Sequence, residues 1–380
     1  LASGDPLGKK AKGAAFLLYN RRVHAYRIAT ILAGSAAGGV LTMRLIVPAV
    51  SWAMSPPAPE VVRTPSAQIG ALPKDLDALD RLSRRLAPSQ VAAMRKRVER
   101  SPGDARTRAL LAQATWYDRG DAEIARTHRE QIVWFVANAP DSPFLSHGIV
   151  DVDRISDART YALVRDLYDE ALAKRPNDAN VMANYANLLL VPENDRAIAL
   201  LTQAIRLDPK NPRRYQRRGQ AYALASRRLN GARDRNKASL AFDDYLKARS
   251  LGADFNPSYL IENAFDAGRL GEVEGEANAA LRDHHDADAV HTAHTTLGRV
   301  ALRRGDLAAA KAHLLDSAKV TGSPVLGSFG PRMELAQELL AKGERKTVLA
   351  YLKACGRFWQ DDRQTQWAKS VESGGTPDWD

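Results

Sequence analysis

From residue 74 onward, apolar residues recur at i, i+3 and i+4, the period of one helix face. Leu76, Leu79, Leu82 and Leu86 form one such stripe, and Val91, Met94 and Val98 form the next. The clearest repeating unit runs from Pro176 to Pro209, a spacing of 33. Asn177-Asp178 opens a helix ending near Leu190, residues 191–194 turn, Ala197 to Leu207 run back, and Asp208-Pro209 closes the unit. Strand-like alternation is almost absent. The pattern predicts antiparallel helix pairs near 104–140, 143–176, 178–209, 212–253, 256–288, 289–324 and from 331. Helices at 75–86 and 88–100 are expected to cap the first pair. Stacked pairs bury one continuous core, so residues 74–380 are expected to form an all-α helical-repeat solenoid of about seven pairs.

Glycine marks the turns. Gly120, Gly268, Gly305 and Gly343 each stand between two stripes, where a positive φ after a helix is needed. Two of these glycines lie in Arg-Gly-Asp triplets, which the turn explains fully. The fourth unit departs from the period. Its insert, SRRLNGARDRN, is polar and basic and is expected to loop out.

The residues of these units resemble tetratricopeptide (TPR) repeats. Ala197, Leu201, Ala204 and Pro209 match that repeat's second-helix pattern, and Tyr215, Gly219 and Tyr222 its first-helix pattern. Leu297, Gly298, Ala301, Ala310 and Leu314 fit again. From Ala105 to Asp380 the chain also resembles a bacterial family of TPR proteins with no established biochemical function. That likeness rests on Gly322-Ser323-Pro324, Ser328-Phe329-Gly330-Pro331, MELAQELLAKGE, Val348-Leu349 and Cys355 with Phe358-Trp359. The family implies an all-α solenoid and brings no catalytic residues to carry over.

The N-terminal part reads differently. Residues 1–27 hold six Lys/Arg against the single acid Asp5. Residues 28–54 follow, IATILAGSAAGGVLTMRLIVPAVSWAM, with Arg44 as their one charge. A bilayer core of ~30 Å needs about 20 apolar residues as a helix, and this stretch supplies them. A cleaved signal sequence and a buried helix are competing readings, and the length of the run favours a retained single-pass anchor. The cationic flank puts residues 1–27 in the cytoplasm and residues 74–380 in the periplasm, the chain sitting in a bacterial inner membrane. Gly34 and Gly38 form a GxxxG, and Ser35 and Gly39 repeat the spacing beside it, a face on which a second helix packs closely. Arg44 is costly in lipid and well placed to meet an acid on a neighbouring subunit. Residues 55–73 are rich in proline and are expected to form an extended spacer.

Composition narrows the chemistry. The lone Cys355 excludes an intrachain disulfide and any cluster or zinc site built on several cysteines of this chain. The net charge of +11 favours anionic partners. Nine cations fall within residues 213–237, among them Arg213, Arg214, Arg217, Arg218, Arg227 and Arg228. This run suits an acidic protein surface or anionic lipid headgroups. Nucleic acid is disfavoured, because Tyr215 and Tyr222 fit core positions and no base-stacking platform remains. His284, His285, His291 and His294 are candidate metal ligands, weighed against a structural role. No GxSxG, P-loop or HExxH is present, so no enzyme and no cofactor are expected. The expected function is a membrane-anchored scaffold, an accessory subunit that binds and stabilises a larger bacterial membrane complex. A free-standing periplasmic adaptor for peptides or assembly factors is the alternative, and a metal- or RNA-binding solenoid a more distant one.

Overall fold

The computed structural model describes residues 51–73, 75–116, 121–146, 148, 150, 152–227, 232–283 and 286–379. Among these residues the fold is all-α, without a sheet, and divides into two compact units at Pro209/Lys210. No helix among them is long and apolar enough to cross a membrane. The expected span 28–54 lies, up to residue 50, outside the described residues.

The first unit holds α1 (Leu76–Ser83), α2 (Pro88–Arg100), α3 (Ala105–Trp116), α4 (Ala122–Asn138), α5 (Ala158–Lys174), α6 (Ala179–Leu189) and α7 (Asn194–Leu207). Asp121 caps α4 and Asp178 caps α6, each carboxylate accepting two backbone N–H bonds of the first turn. Helices α3 and α4 pair, as do α6 and α7. The pair expected over 143–176 is not formed. Pro140 and Pro143 interrupt the chain, Pro143–Ser146 makes one 3-10 turn, and α5 follows alone. Phe144 of that turn buries its ring against Phe135, so a short turn fills the place a helix would take. The core runs through Ile132, Trp134, Phe135, Tyr168, Tyr185 and Leu201, with the Tyr168 and Tyr185 rings stacked at 4.9 Å.

The second unit holds α8 (Pro212–Ser226), α9 (Arg235–Ser250), α10 (Ser258–Ala267), α11 (Leu270–Asp283), α12 (Ala287–Arg303), α13 (Leu307–Ser317), α14 (Pro324–Phe329), α15 (Glu334–Ala341), α16 (Arg345–Cys355) and α17 (Asp362–Glu372). Each helix from α8 to α12 packs on the next. In addition α10 packs on α12 and α12 on α15, so first helices of successive pairs lie side by side, the arrangement of a helical repeat. Gly268, Gly305 and Gly343 take φ of +79°, +83° and +86° at the turns where the pattern placed them, whereas Gly120 lies outside the described residues. Asp306 of the described Arg-Gly-Asp triplet caps α13, and Arg304 pairs with Glu274. The polar insert leaves the helix at Ser226 and re-enters it at Arg235.

Four residues from separate stretches of the C-terminal sequence meet in space. Gly322, at φ +88°, lies against Phe358, and Gly330, at φ +84° and ψ 171°, lies against the Trp359 ring. A Cβ would collide with the Phe358 Cβ at the first site and with the Trp359 ring at the second, and the Gly330 conformation is one that side chains reject. Trp359 packs at a tilt against Trp367 of α17, which packs in turn against Trp379.

Candidate functional site

The proline-rich stretch is extended but is not a free spacer. Its prolines deny it helical or ladder pairing, so its remaining backbone groups need partners elsewhere, and the first unit provides them. Asn138, the last residue of α4, brackets the strand with its amide. Its Oδ1 accepts from the Thr64 N–H at 2.6 Å, and its Nδ2 donates to the Val62 carbonyl at 2.8 Å. Trp134 Nε1 donates to Thr64 Oγ1 at 3.1 Å. Arg63 donates to the Ala137 carbonyl at 2.8 Å, at the negative end of α4, and pairs with Glu170 at 2.6 Å. The Gly70 N–H donates to the Gly103 carbonyl at 2.8 Å. Gly103 is required there, because a Cβ would collide with the Gln68 carbonyl. Val61, Ile69 and Leu72 add apolar contact with the core.

The strap begins at a fixed point. Residues 51–54 are helical, and Ser55 Oγ accepts from the Ala158 N–H at 2.8 Å. It thereby satisfies the first turn of α5, whose own N-cap Asp157 makes no side-chain cap bond. Ser51 Oγ donates to the Ile155 carbonyl, and Arg159 Nε donates to the Trp52 carbonyl at 3.2 Å. Trp52 and Met54 remain exposed beside these contacts. The anchor positions Gly34, Ser35, Gly38, Gly39 and Arg44 lie outside the described residues.

The basic run is divided by its own helix. Arg213 and Arg227 are exposed, while Arg214 is buried and Arg217 is half-buried with a bond to Gln220 at 2.9 Å. Burial holds the Arg217 guanidinium below its ordinary pKa. Arg218 forks onto Asp244 with two bonds of 2.8 Å, and Arg233 pairs with Asp266 at 2.9 Å. Arg228 lies outside the described residues. Spacing along α8 could not show this division, because the acids come from α9 and α10.

The histidines part company as well. His284 and His285 lie outside the described residues. His291 is fully buried, with Nδ1 2.8 Å from the Ser317 carbonyl and Nε2 accepting from the Arg332 N–H at 3.0 Å. Both ring nitrogens are thus engaged by backbone, a structural role rather than that of a metal ligand. Burial pushes its pKa down to about 4. Arg332 extends the network to Glu262, and its carbonyl accepts from the Tyr351 hydroxyl at 2.8 Å. His294 instead faces His313, which the sequence pattern did not single out. Cys355 is buried, and burial raises its thiol pKa to about 12, which makes it unreactive at neutral pH.

A cavity of about 580 Å³ opens in the second unit. Phe255 and Leu260 line it together with the acids Asp254, Glu276, Asp283 and Asp286. Arg249 forks onto Glu276 at 2.6 and 2.8 Å, and Asp286 caps α12. Compared with known proteins, the chain matches no family model and no curated protein.

Proposed function

We propose that the protein is a membrane-anchored, TPR-like scaffold, an accessory subunit that binds and stabilises a larger bacterial membrane complex. Residues 28–54 form its single span, the basic residues 1–27 lie in the cytoplasm, and the helical units lie in the periplasm. The observation that carries this reading is the strap. A passive tether needs slack between anchor and body, and the 19 residues of 55–73, fully extended, would provide ~59 Å of it. Here that length is bonded back onto α4 and α5, and residues 51–55 are held at the start of α5. A body held this close to its anchor has a set orientation at the bilayer surface, as a subunit seated on a membrane partner requires. Paired helices add broad side-chain surfaces for contact.

Mild detergent extraction followed by native mass spectrometry tests this. The wild-type chain is expected to co-purify with other subunits, and Gly34→Leu with Gly38→Leu to release it while leaving insertion intact. A reporter fused after Asp380 should be active only outside the cytoplasm. A wild-type chain that emerges alone would overturn the accessory-subunit reading. The acid-lined cavity beside Phe255 favours the second reading, an adaptor for basic peptides. In that case peptide binding would survive the loss of Gly34 and Gly38.

A further inference from the structure

His294 lies on α12, and His313 and Asp316 lie one turn apart on α13. Gly298, one turn after His294, lets these helices come close. A Cβ there would lie 3.2 Å from His313 Cβ and would collide with Leu335. The result is that His294 Nδ1 and His313 Nδ1 face each other at 3.1 Å. The ring planes are inclined at 43°. One ligand atom from each of His294, His313 and Asp316 can be chosen so that all three lie within 4.8 Å of one another.

Two neutral imidazoles facing through Nδ1 can share one proton at most. Neutral imidazole is the form that ligates metals. With Nε2 protonated in each, both Nδ1 lone pairs lie on the facing side of the rings and are open to one ion. Ligands about 2.0–2.1 Å from a metal ion stand roughly 2.9–3.4 Å apart at octahedral to tetrahedral angles. The observed 3.1 Å falls inside that range. The geometry points to a divalent transition-metal site formed by His294, His313 and Asp316, which clamps α12 to α13. Two imidazoles and a carboxylate select zinc, nickel or copper over magnesium and calcium, which take oxygen ligands. Asp316 now pairs with Lys319 at 2.6 Å. Lys319 is largely exposed, so it can yield the carboxylate to a stronger cation without leaving a buried charge. Three protein ligands leave positions for water.

The test uses the full-length chain in detergent, stripped with chelator and titrated calorimetrically with Zn²⁺, with Mg²⁺ in parallel. One Zn²⁺ per chain is expected, together with a melting temperature that rises with Zn²⁺ and not with Mg²⁺. His294→Gln and His313→Gln should each weaken binding at least ~10-fold, and Asp316→Asn should weaken it less. The double variant His284→Gln with His285→Gln should bind as wild type. Bound Co²⁺ should give a visible absorption band that His313→Gln removes, and circular dichroism should show each variant folded. Absence of stoichiometric Zn²⁺ binding would overturn the site and leave the pair as a hydrogen bond. Binding that survives in folded His294→Gln and His313→Gln would overturn it equally, because the ligands would then lie elsewhere.

Discussion

His291 shows how a single side chain becomes part of the frame. Its ring spans two helical pairs, accepting from the Arg332 backbone and engaging the Ser317 carbonyl, with no exposed surface. The unfolded chain takes up its proton near pH 6.5, the folded chain only near 4. Between those values the unfolded state binds more protons, so stability is whole above about pH 6.5 and falls as the pH drops toward 4. A depression of this size corresponds to ~3 kcal/mol. His294 and His313, also shifted down by burial, act in the same direction. Urea unfolding at pH 7 and pH 4.5 should show a marked fall in the midpoint. His291→Gln should lower the midpoint at pH 7 and flatten the acid dependence. An unchanged wild-type midpoint would contradict the buried network.

Among the elements, the strap departs most from what its own sequence suggests. Proline density correctly indicates an extended chain, but whether that chain floats or docks depends on Asn138, Trp134 and Gly103, up to 76 residues away. Asn138→Ala removes both arms of the bracket. It should cost ~1–3 kcal/mol, since the Thr64 N–H loses its partner. Trypsin should then cut at Arg63 several-fold faster than in wild type, where Arg63 is held by Ala137 and Glu170. Equal cleavage rates would mean that the bracket contributes little. The missing first helix of the second pair has a similar origin. Pro140 and Pro143 break the chain there, and the buried Phe144 meets the packing need with one turn.

At the scale of the chain, ion pairs between elements neutralise part of the cationic charge among the described residues. Arg196, Arg218, Arg233, Arg249, Arg269 and Arg304 each pair with an acid on another helix. Such pairs contribute modestly where exposed, so the three apolar core clusters supply most of the stability. Residues 51–380, produced without the anchor, should therefore stay soluble and give a far-UV circular dichroism spectrum dominated by helix. Substantial sheet content would refute the helical-repeat fold.

Local information was enough for most of the helices and their punctuation. The 3.6-residue period, the aspartates that cap α4, α6 and α13, and the glycines at 268, 305 and 343 act within a few residues of themselves. Gly219 and Gly298, which match the repeat pattern, both lie against a neighbouring helix. Long-range pairing was not legible. The docking of residues 55–73, the locking of Arg218 on Asp244, the burial of His291 and the meeting of His294 with His313 join residues 19 to 107 positions apart. Such contacts depend on which helix faces lie together, and a periodic pattern specifies that a face is buried without specifying what it is buried against.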